Sequence, residues 1–181
     1  MKDLSMHILD IARNSVEAGA SQIEVILKEL PDMDLLQIII EDNGKGIPKD
    51  VIEEITDPYF TGRNTRKVGL GLALLKQNTE NTGGNLNIES EINKGTRVEA
   101  NFCYQHIDRP PLGDISSTIL LLMTGNPEIN VIYRHHKNDK QYSLSTQEIK
   151  EALDGMSFQS YEIRKYLKEM IDEHLTSINV I

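Results

Sequence analysis

Asp42 closes an apolar run and is followed by two glycines two positions apart, in Asp42-Asn43-Gly44-Lys45-Gly46. A carboxylate at the end of a buried strand can accept a hydrogen bond from the exocyclic amine of a nucleotide base. Gly44 and Gly46 would let the backbone turn through φ > 0 and pass close to a ligand. The bland alternative is a turn at a strand end, a common setting for Asp-Asn-Gly. The isoleucines at 38, 39 and 40, just ahead of Asp42, weigh for a ligand site at the edge of a core.

A second glycine pair, Gly69-Leu70-Gly71-Leu72, opens an apolar helical pattern. A helix N-terminus with glycines suits an anion, because free N–H groups and the helix dipole face it. The chain has no P-loop, since no Gly-Lys-Ser or Gly-Lys-Thr occurs. Leu74 stands where a dinucleotide fingerprint needs a small residue. Arg63, Arg66 and Lys67 lie in the polar stretch 61–68, which reads as a mobile lid with cations for phosphates. For any one of the three, a solvated basic loop is the plain alternative.

The third piece is an N-terminal helix over 4–18. Leu4, Ile8, Ile11, Ala12, Ser15 and Val16 share one face. His7, Asp10, Asn14 and Glu17 form a polar stripe opposite. Such stripes usually face water. Alongside two glycine loops, the stripe instead suggests Asn14 at a Mg²⁺ ion, which prefers oxygen ligands, with Asp10 one turn earlier near a γ-phosphate.

The remaining pattern must position these pieces. Strands are expected over 22–30, 35–42, 85–91 and 95–103, with a hairpin turn at Asn93-Lys94-Gly95. Short and longer helices are expected over 49–55 and 70–82. Gly95-Thr96 reads as a hairpin turn or as support beneath the phosphate loop. Arg109-Pro110-Pro111-Leu112-Gly113 marks a boundary. Beyond it the pattern is helix 115–124, strands 129–135 and 140–145, and helices 146–154 and 159–175. Ser145 and Glu148 suit a capping box.

The chain has 181 residues, a net charge of −9, one cysteine (Cys103) and no tryptophan. The acidic balance and the lack of a basic arm weigh against nonspecific nucleic-acid or membrane binding. A lone cysteine makes no internal disulfide, so a reducing cytoplasm is expected. No apolar run reaches membrane-spanning length. His135 and His136 point to opposite faces of a strand, and no zinc site is read.

Together these motifs resemble the ATP-binding domain of histidine kinases, gyrase, MutL and the heat-shock chaperone ATPase, the GHKL superfamily with its Bergerat fold. The N-box corresponds to Asp10 through Ala18, and the glycine boxes to Asp42–Gly46 and Gly69–Leu72. Asp57-Pro58-Tyr59-Phe60-Thr61 looks like the phenylalanine box of histidine kinases, and Gly95-Thr96 also fits. The lid and glycine boxes look most like a histidine kinase; the N-box, with Ala18-Gly19-Ala20-Ser21, looks more like MutL.

The resemblance implies an α+β, two-layer sandwich over 1–104, followed by a small α/β extension over 105–181. It implies Mg²⁺ and ATP as cofactors. The implied nucleotide-binding residues are Asn14, Asp42, Gly44, Gly46, Phe60, Arg63, Arg66, Lys67, Gly69, Leu70, Gly71, Leu72 and Thr96, with Asn14 at the metal. Asp10 takes the position where ATPase branches carry a water-activating glutamate, one methylene longer. A soluble kinase-like protein or slow ATPase in cytoplasmic regulation follows, with an unidentified protein partner. A nucleotide-dependent binding module of anti-sigma type, without turnover, is the alternative. The superfamily domain begins with a strand that has no room here, so the sheet is left with an exposed edge. The strand at 129–133 is expected to pair there or cover it.

Overall fold

β1 (Gln22–Leu30) buries every second residue, Ile23, Val25, Leu27 and Glu29. That period of two makes it a strand with one face on a core. The computed structural model describes residues 2–56, 70–158 and 160–180. Its first part contains α1 (Leu4–Glu17), β1, β2 (Leu35–Asp42), α2 (Lys49–Ile55), α3 (Leu70–Asn81), β3 (Asn85–Glu91) and β4 (Gly95–Cys103). Then come α4 (Ile115–Gly125), β5 (Asn130–Lys137), β6 (Lys140–Ser145), α5 (Thr146–Leu153) and α6 (Tyr161–Ser177). The architecture is α+β, with one six-stranded sheet in the order β3-β4-β2-β1-β5-β6.

The helix ends follow from backbone chemistry. Asp3 caps α1 by accepting from the Met6 amide at 3.0 Å. At the other end Gly19 adopts φ 74°, its N–H donating to the Val16 carbonyl while the Ala20 N–H donates to Ser15. This closing pair fixes where the chain leaves α1. Gly83 and Gly84 close α3 in the same way, on Glu80 and Thr79. Ser145 caps α5 as expected, its hydroxyl accepting from the Glu148 amide at 3.2 Å and donating to the Glu148 carboxylate at 2.9 Å.

All neighbouring strands are antiparallel except β1 and β5. Those two run parallel from Gln22↔Asn130 to Glu29↔Lys137. The expectation that the C-terminal part completes the sheet edge is met. β5 extends to Lys137, two residues beyond the sequence reading, because the register with β1 continues to Glu29. A parallel pair needs a crossover. Here α4 leads into β5 and packs on α1 and α6. The linker also holds α1 directly: the amides of Leu4 and Ser5 donate to the carbonyls of Pro111 and Leu112, both at 2.9 Å. One cluster of buried side chains runs from Leu4 and Ile8 through Val25, Ile40 and Phe102 to Ile119, Tyr133 and Ile171.

A buried polar knot lies at the far end of β1. Glu29 accepts from Tyr104 Oη at 2.9 Å and pairs with His135 Nε2 at 2.9 Å, and His135 Nδ1 meets Tyr133 Oη at 2.6 Å. Burial alone would raise the Glu29 pKa; the hydrogen bonds from His135 and Tyr104 outweigh it and hold the carboxyl below its usual range. The contribution is therefore present above the unfolded value of 4.5 and is lost as pH falls through the lower folded one.

Removing the chain after residue 108 would strip β5 from β1 and α4 from α1. The fragment is expected to aggregate or to melt well below the full chain. Size-exclusion chromatography and thermal melting check this; a soluble fragment of equal stability would contradict the sheet-completion argument.

Candidate functional site

The end of β2 delivers Asp42 into a cavity between the sheet and α1. The cavity, about 170 Å³, has apolar walls from Ile11, Ile40, Ile47, Leu72 and Val98. Its polar groups come from Asn14, Ser15, Glu17, Asp42, Lys45 and Thr96. Both Asp42 oxygens are held: Ser15 Oγ donates to Oδ2 at 2.6 Å, and the Gly44 amide donates to Oδ1 at 2.9 Å. Each ionised oxygen keeps a further lone pair for a ligand. The carboxylate is thus oriented but not saturated.

The loop after Asp42 is fixed from three sides. Asn43 Oδ1 accepts from the amides of Ser21 and Gln22, both at 2.9 Å, tying the loop to the start of β1. The Lys45 amide donates to Ala18 at the end of α1. Below, the Ile47 amide donates to Ser90 Oγ at 2.8 Å, and Ser90 meets Thr96 Oγ1 at 2.9 Å. Gly46 has φ 69°, and a Cβ there would collide with the Glu91 carbonyl. A Cβ on Gly95 would collide with the Asp42 carbonyl. The support expected of Gly95 and Thr96 thus falls beneath the Asp42 loop.

The sequence-selected residues converge in part. Asn14, Asp42, Gly46, Leu72 and Thr96 line one cavity, and Gly44 holds Asp42. Gly71 lies against α1, where any Cβ would run into the Asp10 carboxylate. Asp10 and Gly71 are therefore neighbours at the first turn of α3. Leu70 begins α3. Phe60, Arg63, Arg66, Lys67 and Gly69 lie outside the described residues.

His7 does not belong to a solvated stripe: it is 1 % exposed and is wedged between α1 and α3, with Asn78 Nδ2 at 2.9 Å from its Nε2. The wheel of α1 alone sets His7 opposite the apolar face, and α3 packing across that side encloses it. Ser15 was read only as a core position. Its hydroxyl, adjacent to Asn14, was the available signal that it could reach Asp42.

Residues 2–106, more than half of the chain, match the family described as histidine kinase-, DNA gyrase B- and HSP90-like ATPase. The chain belongs to this family. Among curated relatives, the sensor kinase CckA of Brucella abortus (strain 2308) is 39 % identical over 85 residues, covering 46 % of this chain and 9 % of CckA. The sensor histidine kinase YxdK of Bacillus subtilis (strain 168) is 32 % identical over 106 residues, covering 56 % of this chain and 33 % of YxdK. The chain thus spans a minor part of either relative's length. A crystal structure of the N-terminal domain of a DNA repair protein superposes with a TM-score of 0.56 at 18 % identity, covering 91 % of this chain and 56 % of that one. That likeness is one of fold, and it reaches past the family-matched residues into the C-terminal part. Among the described residues, no helix is long and apolar enough to cross a membrane, and no cluster of three or more metal-ligating His, Cys, Asp or Glu side chains occurs.

Backbone passes so close beneath Asp42 that a Cβ at Gly95 has no room. Gly95→Ala is expected to destabilise the fold by about 2 kcal/mol or more, because backbone must move. Ser15→Ala should cost about 1 kcal/mol, one buried hydrogen bond. Urea denaturation of both variants checks the order.

Proposed function

We propose that this chain binds Mg²⁺–ATP and works as a kinase-like protein or slow ATPase in cytoplasmic signal transduction, with residues 1–104 carrying the nucleotide site and 105–181 an extension that braces it. The observation that carries the reading is the Asp42 carboxylate, oriented by Ser15 and Gly44 at the wall of an apolar cavity. That arrangement suits the exocyclic amine of adenine. Guanine offers a carbonyl at the same place, and two acceptors would then face each other.

The donor set also fits a hard cation. The side chain of Asn14 bonds to no described residue, and both Asn14 and Glu17 bring oxygen to the cavity. Mg²⁺ takes one or two protein oxygens together with phosphate oxygens. Asn14 would hold the ion through its amide oxygen. A bound Mg²⁺ supplies neutralisation of phosphate charge. Arg63, Arg66 and Lys67 would add cations to the phosphates, and the α3 N-terminus its amides. Phe60, Gly69 and Leu70 belong to the same proposed surface. Asp10, beside Gly71, would take the proton of an attacking nucleophile.

The relatives named above are sensor kinases by name, which supports phosphoryl transfer within a signalling pathway and a protein as partner. A phosphate-release assay with the full chain tests turnover.

Titration calorimetry is expected to show ATP binding with GTP much weaker. Asp42→Asn should weaken ATP roughly 10- to 100-fold, the worth of a charged hydrogen bond. Unchanged ATP affinity, or equal affinity for GTP, would remove the base-recognition reading. Asn14→Ala should abolish the gain in ATP affinity that Mg²⁺ brings while leaving adenosine binding intact. A surviving metal dependence would place the ligand elsewhere.

A further inference from the structure

We infer that His7 is a positioning residue for the phosphate end of the site, acting through Asp10 and the first turn of α3; this rests on the nucleotide-binding reading above. His7 precedes Asp10 by three residues on α1, so both side chains lie on one face of that helix. Asn78 reaches across from α3 and donates its amide N–H to His7 Nε2. An amide nitrogen only donates, so Nε2 is the acceptor, and the neutral ring carries its proton on Nδ1. Burial, the strongest influence on the ring, holds its pKa below the usual value and keeps it neutral.

Nδ1 is buried and makes no hydrogen bond of good geometry; only the Gly71 backbone is near enough to bond it weakly. Native structures rarely leave a buried donor unmet without a reason. The carboxylates of Asp10 and Asp3 also act on the ring through space. Asp10 itself presses on Gly71, whose hydrogen leaves just enough room for the carboxylate. Imidazole, carboxylate and the opening turn of α3 thus share one small volume between two helices.

An anion at the α3 N-terminus would compete with the Asp10 carboxylate for that place. The Nδ1–H, with only a weak contact to the Gly71 backbone, is a donor that can turn to the displaced carboxylate. His7 would then fix Asp10 in one orientation when a terminal phosphate is present, and leave the base end of the cavity untouched. The interaction costs no new charge, because the ring stays neutral.

The test uses the full chain and three ligands: adenosine, ADP and a non-hydrolysable ATP analogue, each by calorimetry with Mg²⁺. His7→Leu keeps apolar bulk and removes both nitrogens. His7→Asn retains an N–H donor near the place of Nδ1. His7→Leu is expected to leave adenosine unchanged and to weaken the ATP analogue about tenfold relative to ADP. His7→Asn should recover most of the loss. In an Asp10→Asn background, His7→Leu should have little further effect, because the two act as a unit. An equal loss for all three ligands would mean that His7 only packs, and full additivity with Asp10→Asn would mean that it does not act through Asp10. Either result overturns the inference. Should His7→Leu fail to fold, His7→Phe, an apolar ring of similar size without either nitrogen, takes its place and is read in the same way. A wild-type chain that binds none of the three ligands overturns the nucleotide reading itself, and this inference with it.

Discussion

A strand edge in a sheet has to be paired, and β1 has only β2 on one side until β5 arrives. The parallel ladder from Gln22↔Asn130 to Glu29↔Lys137 closes that edge. Its direction carries consequences. A parallel neighbour cannot be reached by a hairpin, so the chain must cross over, and the crossover brings α4 onto α1. The linker before α4 is fastened to Leu4 and Ser5, at the first turn of the same helix. α1 is therefore gripped at its start by the linker, along its length by α4, and at its end by the Ala18–Lys45 contact. The helix that carries Asp10, Asn14 and Ser15 owes its position to residues more than a hundred places away in the chain.

Asp42 shows how that position becomes chemistry. A carboxylate at a strand end is free to swing, and a freely swinging acceptor selects little. Ser15 Oγ and the Gly44 N–H remove that freedom. Ser15 can do so only while α1 lies across the end of β2, and Gly44 only while the loop turns tightly. A Cβ at Gly44 would press on the Ala18 side chain at the end of α1. Helix, strand and loop are thus held in one register by small residues at the points of closest approach, so orientation of the acceptor is achieved before any ligand arrives.

Much of this was legible in the sequence because it is local. Alternation at 22–30, the apolar run at 35–40 and the glycine signals at 83–84 and 93–95 yield elements that match within one or two residues. Asp42, Lys45 and Gly46 of the first glycine box and Leu72 of the second fall on one cavity. What was not legible is long-range. His7 reads as a surface residue on the wheel of α1 and becomes buried only when α3 crosses it. Glu29 reads as an ordinary charged residue on a half-exposed strand. It is enclosed because Tyr104, just past β4, and His135 and Lys137, both on β5, reach it across the sheet, a pairing no local pattern shows. The partner of β1 was foreseen from the missing edge, not from any pattern in residues 129–133 themselves.

The two ends of β1 divide the labour of the fold. At its start, next to Asp42, the polar groups are half-exposed and keep lone pairs to spare. At its end, Glu29 and His135 are buried and satisfied, with Tyr133 closing the chain of hydrogen bonds. Removing one partner from the closed knot leaves a buried polar group unmet, which costs more than the bond contributed. The open end pays no such penalty, since water or a ligand can fill the place. The separation along the strand is about 20 Å, beyond the range at which side-chain substitutions usually couple directly. The knot can therefore secure the joint between the two parts of the chain without distorting the cavity. The cavity end keeps its polar groups open while the knot at the other end of the same strand is closed.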